Sequence, residues 1–233
     1  MKTLGIIGGL GPESTVDYYK LIIARYRARS NGSYPSIIIN SLDLNKGIAL
    51  VSAGELSALA DYIAGGVEKL RAAGCDFALI AANTPHIAFA VIQQRSSLPL
   101  LSIVETALEA TNNLGLKRVG LLGTGFTMGS DFYQKAFSAR AVEIIVPNGE
   151  ERAFIHEKYL TELLQGVFLP ETREPLLKII DRMTSEEKIQ ALILAGTELP
   201  LILRDVGSVR IPFLNTTQIH VEAAVSLLLR DVA

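Results

Sequence analysis

Cysteine is nearly absent from this chain. The single residue of this type, Cys75, excludes an intramolecular disulfide framework and a cysteine-rich zinc site, and it fits a reducing compartment. Neither sign of charge dominates, because 22 Lys and Arg stand against 24 Asp and Glu, for a formal net charge of -2. We therefore expect no nucleic-acid partner and no polybasic membrane contact.

Long apolar runs and low-complexity linkers are also missing. Met1-Lys2-Thr3 leads into a short apolar segment that cannot form the core of a signal peptide, and no run approaches the roughly 20 residues of a membrane span. These absences predict a cytoplasmic protein without a membrane contact. The histidines, His86, His156 and His220, show no metal-ligand spacing, so no metal site is predicted.

Two stretches share one design, in which an apolar strand ends in polar residues near a proline. They are Ala78–His86 and Ala191–Pro200. Short apolar runs bounded by turn formers are typical of buried parallel strands, and ligands of open α/β sheets bind at the carboxyl ends of such strands. The candidate binding or catalytic residues from these two strand ends are Asn83, Thr84, His86, Thr197 and Glu198.

The segment from Arg118 onward repeats the first half of the chain. Gly123 matches Gly8 at an offset of 123 - 8 = 115, and Gly196 matches Ala82 at 196 - 82 = 114. Pro212 matches Pro99 at 212 - 99 = 113. Matching blocks at a nearly constant offset indicate an internal duplication, and two copies are too few for an open repeat array.

The duplication predicts an α/β fold with two pseudo-symmetric domains, each a parallel sheet flanked by helices. We expect the first lobe over 1–115 and the second over 116–208, with the segment 209–233 as a candidate to pack back on the first lobe. Within the first lobe, the pattern predicts a helix over Ala53–Ala73 and a strand over Leu98–Ile103. A small ligand would meet equivalent strand ends from both lobes.

Glycine-rich turns follow the first strand of each half. The amides of Gly8–Thr15, including those of Gly9 and Gly11, could hold a carboxylate at a helix start, or the segment could be a tight turn without a ligand. A dinucleotide site is disfavoured, because Ser14 stands where a third glycine belongs. In the second half, the hydroxyls of Thr124 and Thr127 could bind a carboxylate, with helix capping by Thr127 as the alternative.

His86 and Glu198 are candidate acids or bases. Small changes in its surroundings move the pKa of a histidine across neutral pH, and burial raises the pKa of a glutamate toward it. The alternatives are a histidine that packs at a helix start and a glutamate that binds backbone amides. His220 lies on an apolar-faced segment and is expected to pack. Cys75 precedes a strand and is expected near the opposite end of the sheet from the site, in a structural role.

Four motifs in this order resemble the aspartate/glutamate racemase family over nearly the whole chain. They are Leu4–Thr15, Ala82–His86, Thr124 with Thr127–Tyr133, and Gly196–Pro200. The resemblance implies a cofactor-independent racemase that acts at Cα of a small amino acid, often as a homodimer. It also implies two catalytic cysteines, one in each half, which exchange the α-proton on opposite faces of the substrate.

Both cysteines implied by the resemblance are missing from this chain. Their positions hold Ala82 and Gly196, and neither a methyl group nor a hydrogen can carry a proton. Leu164 stands where aspartate-selective relatives carry a Lys, which disfavours aspartate as the ligand. Two hypotheses follow: a racemase with weak, altered or lost activity, or a silent binder of a small amino or carboxylic acid. Replacement of the cysteines in this particular sequence is a third explanation.

Overall fold

Two compact units make up the chain. The structure, a computed structural model, describes residues 2–204 and 209–230. One unit is formed by Met1–Thr106 with Thr217–Ala233, and the other by Ala107–Thr216. Each unit contains a four-stranded parallel sheet with helices on its flanks, which confirms the α/β fold class.

The first unit carries a sheet with the strand order β2-β1-β3-β4. Its elements are β1 (Thr3–Gly8), α1 (Pro12–Arg29), β2 (Ser36–Ser41), α2 (Leu44–Ser52), α3 (Leu56–Ala72), β3 (Phe77–Ile80), a 3-10 turn (Thr84–Ala88), α4 (Phe89–Arg95), β4 (Leu100–Leu101) and the start of α5 (Ile103–Asn113). The boundary between the units lies within α5, rather than after residue 115 as expected from the sequence.

The second unit repeats this order as β6-β5-β7-β8. Its elements are β5 (Arg118–Gly123), α6 (Gly125–Gly129), α7 (Phe132–Ser138), β6 (Glu143–Ile145), α8 (Gly149–Thr161), a 3-10 turn (Leu163–Gln165), α9 (Pro170–Ser185), β7 (Ala191–Ala195), α10 (Leu199–Ile202) and β8 (Phe213–Asn215). The last helix, α11 (Thr216–Leu229), belongs almost entirely to the first unit. The C-terminal segment is therefore divided between the two units.

The strand registers of the two sheets are related by the same offsets as the sequence repeat. Leu4 pairs with Phe77, and Val119 pairs with Ala191, which gives offsets of 119 - 4 = 115 and 191 - 77 = 114. The next strand pair repeats as well, with Ala78 opposite Leu100 and Leu192 opposite Phe213. Ala82 and Gly196 therefore hold equivalent positions, each five residues after the paired strand residues Phe77 and Ala191.

Each unit encloses a core of its own. In the first, α1 and α11 pack through residues such as Tyr18, Ile22 and Val225 against the fully buried strand residues Leu4 and Ile6. Burial of side chains of this size stabilises a fold by about 1.5–3 kcal/mol each. In the second unit, the largest cluster joins β7 to residues of α8 and α9, and this packing fixes α8 beside the end of the sheet.

Two sequence predictions for the first unit were wrong in their bounds. The predicted helix over Ala53–Ala73 begins only at Leu56, because Gly54 adopts a φ of 71°, which separates it from α2. Helix α2 was missed altogether; Asp43 caps it by accepting a hydrogen bond from the amide of Asn45 at 2.8 Å. The predicted strand over Leu98–Ile103 is reduced to Leu100–Leu101.

Within the described residues, no helix combines the length and the apolar composition that crossing a bilayer requires. The same part of the chain contains no cluster of three or more His, Cys, Asp or Glu side chains that could hold a metal ion.

Candidate active site

The loop after β1 is built around glycines that no larger residue could replace. Gly9 has a φ of 81°, and a Cβ there would collide with the carbonyl oxygen of Leu42. The amide of Gly9 donates to Oγ1 of Thr15 at 2.9 Å, so it is already bonded within the loop. Gly11, with a φ of 130°, precedes α1 and provides no side-chain cap. The Gly9 amide thus supports the tight-turn interpretation of this loop.

The loop is tied directly to the motif that follows β3. Ser14, which is buried in the first turn of α1, donates a hydrogen bond to the carbonyl of Ala81 at 2.9 Å. Ala82 and Asn83 come next, and their exposed fractions are only 7% and 4%. Thr84 is half-buried at the start of the 3-10 turn. Two sequence motifs that are far apart in the chain therefore meet at one end of the first sheet.

His86 has both ring nitrogens engaged by the backbone. Nδ1 bonds to the carbonyl oxygen of Ala82 at 3.0 Å, and Nε2 accepts from the amide of Ile103 at 3.3 Å. The ring also stacks on Phe89 with 4.9 Å between centroids. Burial, followed by the charge of His220, lowers the pKa of His86 to about 3. This arrangement supports the packing interpretation, because a neutral ring with two bonded nitrogens has no position left for proton transfer.

The other histidine of this unit and the cysteine have structural surroundings. His220 is fully buried; its Nδ1 pairs with the hydroxyl of Tyr18 at 2.9 Å and its Nε2 with the carbonyl of Leu101 at 3.0 Å. Cys75 precedes the amino end of β3 and is 6% exposed. Burial raises the pKa of its thiol, so this cysteine is a poor nucleophile.

At the end of β7, the space beside Gly196 is filled by Tyr159 from α8. A Cβ at position 196 would lie 2.7 Å from Cε2 and 2.9 Å from Cζ of Tyr159, and closest of all to its hydroxyl oxygen. Gly196 has no positive φ, so its backbone would accept other residues. The phenol of Tyr159 lies where a side chain would extend from the position at which the family resemblance places the second cysteine, so a larger residue there requires the ring to move.

Tyr159 is held in this place by hydrogen bonds to Glu198. Its hydroxyl donates to Oε2 of Glu198, which also accepts from the hydroxyl of Thr197 at 2.8 Å. Tyr159 and Glu198 are 2% and 3% exposed. Burial, and then the charge of Glu198, raises the pKa of Tyr159 well above its ordinary value. At neutral pH the phenol is therefore a neutral hydrogen-bond donor, and Glu198 accepts from the hydroxyls of both Tyr159 and Thr197.

The turn after β5 supports the capping alternative, with a different residue as the cap. Thr124, rather than Thr127, caps α6: its Oγ1 accepts from the amide of Thr127 at 3.2 Å. The two hydroxyl oxygens also lie 3.2 Å apart, and Thr127 is fully buried. The predicted carboxylate-binding hydroxyls are thus engaged with each other at the helix start.

Sequence reasoning missed Tyr159, which no motif indicated. The only signal was Gly196 itself, at the position where the family resemblance places a cysteine. A glycine in place of a larger residue leaves a volume that another side chain must fill. The sequence gives no indication of which side chain does so, because Tyr159 and Glu198 are 39 positions apart.

Two parallel sheets with one strand order, and polar motifs after equivalent strands, define a duplicated α/β protein with a candidate ligand site at the strand ends. The model of the Asp/Glu/hydantoin racemase family matches residues 7–224. The chain belongs to this family, which confirms the resemblance seen in its motifs.

Individual relatives agree with this assignment. The broad specificity amino-acid racemase RacX of Bacillus subtilis (strain 168) is 26% identical over 231 residues, which cover 96% of both chains. An aspartate racemase homologue from Pyrococcus horikoshii OT3 is 32% identical, with a TM-score of 0.80 and coverage of 98% and 99%. A Yersinia pestis protein provisionally assigned as an Asp/Glu racemase is 28% identical, with a TM-score of 0.90 and coverage of 99% and 100%.

Proposed function

We propose that this protein is a cofactor-independent isomerase of the racemase family that acts at Cα of a small amino acid, with proton transfer that is strongly reduced or lost. One observation carries the proposal: Ala82 and Gly196 supply no thiol, and the phenol of Tyr159 fills the place of the second. Removal of a positioned general base typically slows a reaction by factors of about 100 to 10,000.

The ligand is inferred to be a small amino acid or a related carboxylic acid. Asn83, Thr84 and Thr197 stay at the strand ends where the family resemblance places substrate contacts. Leu164 offers no charge to an acidic side chain, and the match to RacX, named as a racemase of broad specificity, supports a ligand of no single side-chain type. Gly9, Gly11, Thr124 and Thr127 are predicted contacts whose described hydrogen bonds are largely internal.

Deuterium incorporation at Cα in D2O tests the proposal. A panel of D- and L-amino acids is incubated with the protein, with Ala82→Cys and with the triple variant Ala82→Cys/Tyr159→Leu/Gly196→Cys. The triple variant replaces the phenol so that the second thiol has room. We expect exchange by the wild-type protein to be at least about 100-fold slower than by the triple variant.

The controls separate the possible outcomes. Ala82→Cys alone leaves the Tyr159–Glu198 pair intact and tests one thiol if the triple variant fails to fold. Wild-type exchange as fast as that of a thiol variant would show that other groups carry the proton. Folded thiol variants that bind an amino acid but never exchange its α-proton would contradict the racemase assignment.

A silent binding protein is the second candidate, and it is favoured by the engagement of both acid/base candidates. His86 is bonded through both nitrogens, and the carboxylate of Glu198 accepts from two hydroxyls. Calorimetric titration with the same panel distinguishes this candidate: binding by the wild-type protein without measurable deuterium incorporation supports it.

We also infer a homodimer without a cofactor, as the family resemblance implies, and a cytoplasmic location, as expected from the sequence. Sedimentation equilibrium of the purified protein checks the assembly, and a monomer over the whole concentration range would contradict it. Exchange by the thiol variants after dialysis against chelator checks the independence from metal ions.

A further inference from the structure

Helix α1 of the first unit has two flanks with different contacts. On one flank, Arg25 and Arg29 form ion pairs with Glu222 of α11. Arg27 is two residues from each of these arginines, which places it on the opposite side of the helix. There its guanidinium lies over the ring of Tyr34, 4.7 Å from the ring centroid. This outer flank of α1 therefore faces away from α11 and toward β2, the strand that Tyr34 precedes.

The outer flank carries an apolar stripe. Val16 and Tyr19 are 45% and 47% exposed, and Ile23 is half-buried. Steps of three, four and four residues lead from Val16 to Arg27, so these side chains share one face of the helix. Apolar residues at this spacing usually face a core, whereas here they are open to solvent.

The edge of the first sheet continues this apolar surface. β2 is an outer strand, since it pairs only with β1 in the described part of the chain. Ile39 of β2 is exposed and lies on the same side of the sheet as α1, because it and Thr15 both approach the Cβ position of Gly8. Exposed apolar patches and uncovered sheet edges are both features of association surfaces. Four of the eight large apolar side chains exposed within the described residues belong to this region: Val16, Tyr19, Tyr34 and Ile39.

The charges on the outer flank favour a second copy of the chain as the partner. Glu13 precedes Val16 by three residues and Arg27 follows the stripe, so an acid and a base stand at opposite ends of it. Both are exposed, and the ion pairs of α1 within the described residues use other side chains. Glu13 and Arg27 are centred on residue 20, and Val16 and Ile23 are centred between residues 19 and 20. A two-fold axis near Tyr19 would therefore bring both pairs together between antiparallel helices.

We propose that two copies of this chain associate through the outer flank of α1 and the adjoining edge at β2, with the two α1 helices antiparallel. Each Glu13 then meets Arg27 of the other copy, and the rings of Tyr19 and Tyr34, rather than their hydroxyls, supply apolar area. Such a contact is self-complementary, as two-fold symmetry requires. The proposal rests on the homodimer inferred above, for which it specifies the surface, and is independent of proton transfer at Cα.

Charge reversal tests the antiparallel arrangement. Glu13→Arg and Arg27→Glu are prepared separately in the full-length protein, and sedimentation equilibrium gives their dimer dissociation constants. Each variant alone places like charges at both ends of the interface and should weaken the dimer at least about 5-fold. An equimolar mixture of the two variants restores opposite charges at both ends, so it should associate at least about 5-fold more tightly than either alone. Glu174→Arg, which reverses an exposed charge on the second unit, should change the wild-type constant less than about 2-fold.

A second comparison tests the apolar stripe. Val16→Asp should weaken the dimer at least about 10-fold, because it places a charge in an apolar contact. Phe168→Asp, at an exposed apolar side chain on the second unit, should change the dissociation constant less than about 2-fold. Circular dichroism confirms that both variants are folded, and the mixture of charge variants decides the matter if Val16→Asp is not.

The outcomes separate the surface from the function. A wild-type protein that stays monomeric over the whole concentration range overturns both the homodimer and its surface. Equal constants for Val16→Asp and Phe168→Asp, or a mixture of charge variants no tighter than its components, overturn the surface alone. None of these readouts involves Cα exchange, so they leave the test of racemase function unaffected.

Discussion

The phenol of Tyr159 donates a hydrogen bond to the carboxylate of Glu198 and, in doing so, covers Gly196. Both side chains are almost completely buried, and Thr197 contributes a second hydroxyl to the same carboxylate oxygen. The position at which the family resemblance places a reactive thiol is thus covered by a hydrogen-bonded network that contributes to the stability of the fold.

Removal of the phenol oxygen should therefore destabilise the protein. Tyr159→Phe deprives a buried carboxylate of a hydroxyl donor, and we expect a loss of about 1–3 kcal/mol in the free energy of unfolding, measured in urea. Tyr19→Phe is the matched control, because Tyr19 is 47% exposed, and its effect should stay within about 0.5 kcal/mol. Equal effects of the two substitutions would mean that the Tyr159–Glu198 bond contributes nothing.

A methyl group at position 196 should be rejected by the same phenol. Gly196→Ala overfills the site and is expected to cost about 1–3 kcal/mol in unfolding free energy, although the backbone φ permits it. In a Tyr159→Leu background the cost should fall, and a double-mutant cycle measures the difference. Gly65→Ala, inside α3 with open space around it, should be neutral or stabilising. An unchanged cost in the Leu background would refute the steric explanation.

The glycine loop after β1 offers a test that separates backbone strain from collision. Gly9 and Gly32 have nearly equal φ values, 81° and 84°, but only Gly9 has neighbours at its Cβ position. Gly32→Ala should cost about 1–2 kcal/mol for the left-handed conformation alone. Gly9→Ala should cost clearly more, because Leu42 and Ser41 must also move. Similar unfolding free energies for the two variants would show that the loop adapts freely.

Stability should fall below neutral pH because of two buried histidines. Burial lowers the pKa of His86 to about 3 and that of His220 to about 4, from an ordinary value of 6.5. Both are neutral in the folded protein, whereas the unfolded chain takes up protons below pH 6.5, so stability is present above that pH and is lost as the pH falls toward 4. Each histidine should remove about 2 kcal/mol between pH 7 and pH 5.

Urea unfolding at several pH values measures this loss. His220→Asn should flatten the dependence by about the contribution of one histidine, whatever its effect at pH 7. His156→Asn, at a less buried histidine, should change the slope less. A slope that is unaffected by His220→Asn would mean that the pKa of this histidine is the same in the folded and unfolded states.

The nearly constant offset between the two halves of the sequence was the feature that best predicted the fold. Because it matches the strand registers, it located Ala82 and Gly196 after equivalent strands without any coordinates. The spacing of apolar residues predicted helices less reliably where short elements follow one another. It missed α2, a nine-residue helix that contains Gly47 and ends close to Gly54. In such short helices, capping by a residue like Asp43 carries more information than apolar spacing.

The site was less predictable than the fold, because its side chains are paired by tertiary packing. The sequence indicated that thiols were missing, but it did not indicate that Tyr159 occupies the space of one of them. The hydrogen bonds of His86 to Ala82 and Ile103 likewise depend on the path of the chain after β3. A residue type in a motif suggests a role, and its neighbours in three dimensions decide whether that role is open to it.

The packing of Tyr159 against Gly196 also bears on how this branch of the family can evolve. A cysteine introduced at position 196 would bring its side chain into contact with the aromatic ring, so this substitution by itself is expected to destabilise the folded protein. The thiol is recovered only along a path that first shrinks or displaces the tyrosine. The packing therefore makes a change at position 159 a precondition for accommodating a thiol at position 196.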